Sequence, residues 1–146
     1  MDPRPGAGGA SAPSRARHWV VPYSPLGHGF LTGTIRSVDD LADTDWRKTN
    51  PRFTGENFQR NLRTADEVRA IAAEVGATPA QVALAWLLAR GDDIAPIPGT
   101  KRVARVEENV AADTVVLTAD QIAKLDNLTP AAGEHHSEAQ MRLLER

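Results

Sequence analysis

The stretch IPGTKRVARVEEN, from Ile97 to Asn109, joins a short apolar strand, Ile94 to Ile97, to a helix with Lys101, Arg102 and Arg105 in its first turns. Cations are unfavourable there, because a helix N-terminus carries a partial positive charge that acidic residues normally offset. The combination suits an anion such as a phosphate, which the free backbone N–H groups and the basic side chains would contact together. The stretch therefore indicates either a phosphate site or a basic helix start whose cations point into water.

The composition is that of one folded domain with little excess charge. The chain has 146 residues, a net charge of -2 and no cysteine. The negative charge argues against a protein that binds nucleic acid along its whole length, and the lack of cysteine excludes disulfides and thiolate metal sites. No apolar run reaches the roughly 18–20 residues of a membrane span, and no signal peptide is visible. We expect a cytoplasmic protein with no membrane partner.

The first residues, Met1 to Arg17, differ from the rest in composition. They are almost entirely Pro, Gly, Ala, Ser and Arg, with no periodic apolar face. Such a segment buries too little surface to offset the entropy lost on ordering. We predict a disordered leader over residues 1–17 and an ordered domain over residues 18–146.

The ordered part opens with HWVVPY, His18 to Tyr23, which is typical of a short buried strand. The loop after it contains Gly27, Gly29 and Gly33. Glycine lets a backbone approach a ligand closely or adopt positive φ, so this loop is either a ligand contact or a tight exposed connection.

A long irregular connection from Asp39 to Asn61 follows. Structureless connections of this length are uncommon in compact domains unless they bind a ligand or act as a lid. Its basic residues Arg47, Lys48 and Arg52 are therefore either ligand contacts or solvated surface residues.

Helices dominate the remainder. Apolar spacing and capping signals predict helices over Thr64–Val75, with Thr64 in a capping box, and over Pro79–Arg90, Ala119–Leu128 and His136–Glu145. In the basic helix, the spacing of its valines predicts that they form the buried stripe: Val103, Val106 and Val110.

Two adjacent histidines, His135 and His136, precede or begin the last predicted helix. Neighbouring residues on a helix point apart. We therefore predict that both are solvated rather than metal ligands.

Four motifs resemble, in order and spacing, the C-terminal part of the aldo/keto reductases, in particular the bacterial and plant branch. They are YSPLGHGFLTG at Tyr23–Gly33, TNPRFTGENFQRN at Thr49–Asn61, ATPAQVALAWLLAR at Ala77–Arg90 and the opening stretch. EAQMRLLER at the C-terminus is also similar to that branch. The resemblance covers about residues 18–146.

The resemblance implies an α/β fold, a (β/α)8 TIM barrel in which His18–Tyr23 is the seventh strand and Ile94–Ile97 the eighth. Only two strands are predicted here, and a barrel has roughly 250 residues. We therefore expect a C-terminal fragment, incomplete as a barrel, of a truncated or frame-shifted gene.

The resemblance further implies that the chain binds NADPH or NADP. The cofactor-binding residues it implies are Tyr23, Ser24, Pro25, Leu26, Gly27, Gly99, Thr100, Lys101, Arg102, Arg105, Glu108 and Asn109. The tyrosine would stack on the nicotinamide, and the other residues of the first loop would line the pyrophosphate and its ribose. The residues from the second loop would hold the 2′-phosphate and the adenine, which favours NADPH over NADH.

The family's catalytic tetrad of Asp, Tyr, Lys and His lies in the first half of the barrel. That half has no counterpart here, and Tyr23, the one tyrosine of the chain, occupies the ring-stacking position. We thus predict no catalytic residue and no metal ligand, and a carbonyl substrate only if the missing half-barrel is supplied. The alternatives are a non-catalytic NADP-binding or interaction module and a non-functional remnant; a nucleic-acid role is remote.

Overall fold

The computed structural model describes residues 19–137 and Arg142. Its helices are α1 (Gly55–Val75), α2 (Pro79–Leu88), α3 (Val103–Val110) and α4 (Ala119–Asp126). Short 3₁₀ helices occur at Gly27–Thr32, Val38–Asp40, Trp46–Thr49, Pro51–Phe53 and Ala111–Thr114. The predicted leader and nearly all of the predicted helix His136–Glu145 lie outside the described residues.

The two predicted strands pair in parallel, but only through isolated bridges. Val20 pairs with Ile94 and Tyr23 with Ile97, and the amide of Ala95 donates to the Val20 carbonyl over 2.9 Å. The predicted burial is wrong: Val20, Tyr23 and Ile97 are 53%, 63% and 53% exposed. Parallel strands need cover on both faces, and the elements described here do not provide it for this pair.

Helix α1 begins at Gly55 rather than at the predicted Thr64. Thr64 does not cap a helix, because its hydroxyl lies inside α1 and donates to the carbonyl of Thr129 over 3.4 Å. The prediction of a structureless connection over Asp39–Asn61 is also wrong, because this stretch contains 3₁₀ turns and the start of α1. Its two phenylalanines, Phe53 and Phe58, pack against Phe30 with ring centroids 5.1 and 5.5 Å apart, and this packing orders the segment into 3₁₀ turns and the start of α1.

The core lies along α1 in two clusters. The first surrounds the phenylalanines: Phe30, Ile35, Leu41, Phe53, Phe58 and Ala65. The second joins α1 to α2 and α4: Val68, Ile71, Ala72, Val82 and Leu125. Helix α1 therefore packs against both the segment before it and the helices α2 and α4.

Three of the six predicted ends of α1, α2 and α4 are confirmed, namely the starts of α2 and α4 and the end of α1, whereas α4 ends at Asp126 rather than at Leu128. Thr78 and Thr118 each form a capping box, with Gln81 and Gln121, at the starts of α2 and α4. Gly76, at φ 67°, ends α1 in the left-handed conformation. Helix α2 ends at Leu88, slightly before the predicted Arg90.

Helix α3 is oriented opposite to the prediction. Its valines Val103, Val106 and Val110 are 75%, 49% and 69% exposed. The polar face is turned inward instead: Arg105, Glu108 and Asn109 are half-buried, and the Gln81 side chain of α2 donates to the backbone carbonyl of Glu108 over 3.1 Å. The apolar stripe of α3 is therefore uncovered by the part of the chain that the structure describes.

Among the described residues, no single helix has the length and apolarity to cross a membrane. Helices α1 and α2 pass that test only when combined, and the chain bends by 89° between them.

Candidate functional site

A cleft of about 370 Å³ lies between the loop after the first predicted strand and the segment that leads into α3. Eight of the predicted cofactor-binding residues line it: Ser24, Pro25, Leu26, Gly99, Thr100, Arg105, Glu108 and Asn109. Two stretches that are distant in sequence thus form opposite walls of one cavity. The other four predicted residues, Tyr23, Gly27, Lys101 and Arg102, do not line it.

The first wall is a tightly turned loop. Ser24 and His28 have positive φ angles of 48° and 56°, and the amide of Gly29 donates to the Leu26 carbonyl over 3.0 Å. Gly29 also has positive φ, and a Cβ there would lie 3.3 Å from Nη1 of Arg47. Glycine at this position therefore lets the guanidinium group approach the loop backbone.

Arg47 is a cleft residue that the sequence pointed to only as one of three basic candidates. Its Nη1 donates to the carbonyl of His28 over 2.8 Å, and its Nη2 lies 2.6 Å from Oδ2 of Asp45. Hydrogen bonds from Arg47 lower the pKa of the Asp45 carboxyl to about 2. The other two candidates do not line the cleft: Lys48 pairs with Asp43 over 2.9 Å, and Arg52 contacts the segment of residues 133–135.

The second wall is the start of α3 and the loop before it. Helix α3 has no acidic residue in its first turn and no side-chain cap. The Thr100 hydroxyl accepts from the amide of Arg102 over 3.2 Å, which orders the turn into the helix. Lys101 and Arg102 are exposed beside this end, and neither forms an ion pair with any residue that the structure describes.

Deeper in the cleft, Arg105 and Glu108 form an ion pair one turn apart on α3. Burial opposes ionisation of Glu108, but hydrogen bonds from Arg105 and Thr78 outweigh it and lower the pKa of the carboxyl. Glu108 is therefore charged and fixed in position, with Asn109 beside it on the same wall.

Six lining residues were not among the predicted cofactor contacts: His28, Gly29, Thr32, Arg47, Ala80 and Pro98. Ala80 lies in the first turn of α2, where only packing of α2 against the loop brings it to the cleft. His28 lies between Gly27 and Gly29 of the loop motif, and its place in that motif was the available signal.

The predicted solvation of His135 and His136 is wrong. These residues lie in an irregular segment rather than a helix, so their side chains are not forced apart. Both are half-buried; the ring centroids of His135 and His28 are 4.6 Å apart, and that of Tyr23 lies 5.9 Å from that of His135. Burial, with the nearby histidines and arginines, lowers the pKa of His28 to about 4, so this imidazole is neutral at pH 7.

Comparison with known proteins identifies the family. The sequence profile described as "Aldo/keto reductase family" matches residues 19–130, most of the chain. This chain belongs to the aldo/keto reductase family. The resemblance seen in the four motifs is thereby confirmed, and the fold that the family implies is a (β/α)8 barrel.

Two similar aldo/keto reductases cover most of this chain with a small part of their own. The "Aldo-keto reductase yakc [NADP(+)]" of Schizosaccharomyces pombe is 52% identical over 99 residues, which are 68% of this chain and 29% of that protein. The "Aldo-keto reductase str7" of Strobilurus tenacellus is 43% identical over 109 residues, 75% of this chain and 32% of that protein. The aligned stretch thus spans about a third or less of each relative.

Proposed function

We propose that this chain holds NADP(H) in the cleft between the Ser24–Leu26 loop and α3, as the cofactor-binding part of an aldo/keto reductase. One observation carries the proposal. Eight residues that the family motifs associate with the cofactor come from two distant stretches and line a single cavity. The printed name of the Schizosaccharomyces pombe relative, which includes NADP(+), supports the same cofactor.

The start of α3 suits the 2′-phosphate of the adenosine. Its first turn lacks acidic side chains, and Lys101 and Arg102 stand beside it without ion-pair partners among the described residues. A phosphate would accept hydrogen bonds from the helix N-terminus and from these cations together. A bound phosphate would thus explain why Lys101 and Arg102 stand at a helix N-terminus, where cations are otherwise unfavourable.

The adenine and the rest of the dinucleotide suit the two walls. Asn109 offers a donor and an acceptor side by side, which matches the amino edge of adenine. Arg105 is held by Glu108 at the same wall, where its guanidinium can lie against the base. On the opposite wall, the backbone of Ser24, Pro25 and Leu26 would follow the pyrophosphate, with Arg47 as an additional cation that the motifs do not include.

For the fold, we propose that residues 19–137 correspond to strands seven and eight of the family's barrel with their helices. The parallel pairing of Val20 with Ile94 supports this arrangement. The exposed faces of these strands and the exposed valines of α3 are the surfaces that the rest of a barrel would cover.

Bound NADPH supplies the hydride with which the family's enzymes reduce a carbonyl to an alcohol. The residues of this chain would bind the adenosine and pyrophosphate parts of the cofactor, and its nicotinamide ring would lie near Tyr23. The proton donor of that reaction is the tyrosine of the family's tetrad, which has no counterpart in the motifs of this chain. We therefore propose a cofactor-binding role for the chain alone and carbonyl reduction only together with the other half of the site.

The experiment is a fluorescence titration of the 146-residue chain with NADPH and, separately, with NADH. We expect NADPH to bind more tightly. Lys101→Gln and Arg102→Gln should each weaken NADPH binding by roughly tenfold, the loss of one charge-assisted hydrogen bond, and leave NADH binding unchanged.

Lys124→Gln is the matched control, since Lys124 lies on α4 and pairs with Glu74 rather than facing the cleft. Absence of binding by either nucleotide would contradict the cofactor role of this chain. Equal weakening by Lys124→Gln would show that the attraction is unspecific.

A further inference from the structure

Three of the four histidines of the chain converge at one place beside the cleft. His28 comes from the glycine loop, and His135 and His136 come from the C-terminal segment. One ring nitrogen of each can be chosen so that all three lie within 4.8 Å of one another. The centroids of the His135 and His136 rings are 4.5 Å apart, and those of His28 and His136 are 6.1 Å apart.

Buried amide side chains hold the histidine-bearing segment in place. Asn61, 5% exposed, donates from Nδ2 to the Ala132 carbonyl over 2.9 Å and accepts from the Ala132 amide over 2.7 Å. Asn50, 2% exposed, donates to the carbonyl of His135 over 2.9 Å. The segment is therefore anchored to α1 and to the turn before it, while the imidazole rings remain outside regular structure.

His28 has an unsatisfied nitrogen at the cluster. Its Nε2 is buried and has no hydrogen-bond partner among the described residues. Buried polar atoms are nearly always paired, and an exception calls for a reason such as an absent ion. A metal ion coordinated by this nitrogen would provide that partner.

We propose that His28, His135 and His136 bind a divalent transition-metal ion of the zinc class. Imidazole suits Zn²⁺, Cu²⁺ and Ni²⁺ and is a poor ligand for Mg²⁺. Three protein ligands leave the fourth tetrahedral position for water. The site adjoins the proposed NADP contacts, since His28 lines the cleft and the Tyr23 ring lies 5.9 Å from that of His135, but its three ligands do not require a bound nucleotide.

The geometry requires a small closure. Zn–N bonds of about 2.0–2.1 Å place tetrahedral nitrogens about 3.4 Å apart, which is less than the 4.8 Å limit that contains the three nitrogens here. Rotation of the rings about their side-chain bonds can supply this movement, since all three residues lie outside the α-helices.

Arg52 competes with the metal. Its Nη1 lies 3.1 Å from Nδ1 of His135, and because a guanidinium only donates, Nδ1 accepts this hydrogen bond. Coordination by His135 has to displace it or use Nε2 as the ligand. Removing the arginine charge in Arg52→Gln should therefore tighten metal binding by about tenfold, the size expected for one unit charge near a dication in a water-like dielectric.

The test is isothermal titration of the full chain with Zn²⁺ in the absence of nucleotide. Visible absorption of Co²⁺ reports the coordination geometry. We expect one ion per chain, a tetrahedral Co²⁺ spectrum and no binding of Mg²⁺. His28→Gln, His135→Gln and His136→Gln should each weaken Zn²⁺ binding by at least about 100-fold, since loss of a residue that only supports a ligand already costs about 10–100-fold.

Asp43→Asn is the control, since it removes an exposed carboxylate that pairs with Lys48 and is not one of the three clustered residues. Circular dichroism of each variant shows whether it has folded. The proposal is overturned if folded wild-type chain fails to bind Zn²⁺ at micromolar concentration, or if Asp43→Asn weakens binding as much as the cluster variants do.

Discussion

Replacing Asp45 by asparagine tests the ion pair that fixes Arg47 at the cleft. Asp45 accepts from Nη2 of Arg47 over 2.6 Å and from its backbone amide over 3.0 Å. The two side chains are only 17% and 25% exposed. Asparagine keeps an oxygen that can accept from the Arg47 amide and cap the 3₁₀ turn, so the substitution removes mainly the charge.

The pKa of Asp45 gives the size and the sign of the effect. Hydrogen bonds from Arg47 lower this pKa from 3.8 to about 2 in the folded chain. At 1.36 kcal/mol per unit, the charge contributes about 1–2 kcal/mol to the free energy of unfolding after partial screening. Because the folded pKa lies below the unfolded one, this stabilisation is complete above about pH 5 and is lost as the pH falls toward about 2.

Urea unfolding followed by circular dichroism at pH 7, 4 and 2 measures the difference between wild type and Asp45→Asn. We expect a gap of about 1–2 kcal/mol at pH 7 that closes by pH 2. Asp43→Asn is the matched control from the same segment, because Asp43 is fully exposed in its pair with Lys48 and should change little. A gap for Asp45→Asn that persists at pH 2 would refute the electrostatic explanation.

Three further predictions concern the core, the histidine segment and the chemistry. Phe53→Ala should lower the free energy of unfolding by about 3–5 kcal/mol, measured in urea, since Phe53 is 1% exposed and packs against the Phe30 ring in the core; a loss below 1 kcal/mol would contradict its place in the core. Asn61→Ala should cost about 1–3 kcal/mol and also weaken Zn²⁺ binding, because Ala132 loses both of its hydrogen bonds to Asn61, whereas the exposed neighbour Gln59→Ala should do neither. The purified chain should oxidise no NADPH with an aldehyde in an absorbance assay, and measurable turnover would sink the proposal that it only binds the cofactor.

The parts of the fold that depend on neighbouring residues were predictable from the sequence. The capping boxes of Thr78 with Gln81 and of Thr118 with Gln121 act over three residues, and Gly76 ends α1 through its own φ angle. Thr64 carries the same capping signature but lies inside a helix. A local pattern shows that a helix can start at a residue, and packing of the phenylalanines decided that α1 had already begun.

The parts that depend on distant contacts were not predictable. Nothing adjacent to His135 and His136 indicates His28, because the C-terminal segment is held in place by hydrogen bonds from Asn50 and Asn61, which are far from it in sequence. For the cleft, the family motifs supplied eight lining residues. Arg47 reached the same cavity through its pair with Asp45 and its contact with the His28 carbonyl, which no motif records.

Helix α3 shows how the fold and the proposed function depend on each other. The valine spacing identifies an apolar face, but it cannot say what that face contacts, and here the polar face packs on α2 through Glu108 while Val106 and Val110 stay exposed. No residue of α3 is fully buried, so burial of apolar surface contributes little to its docking, and a ligand bound at its N-terminus can add to it. A ligand that binds only the docked form adds RT ln(1 + [L]/Kd) to stability, about 2.7 kcal/mol at a concentration of 100 Kd. If NADP(H) binds at α3, it should therefore raise the melting temperature of the chain, and Arg102→Gln, which we expect to weaken binding about tenfold, should remove about 1.4 kcal/mol of this stabilisation at saturating ligand.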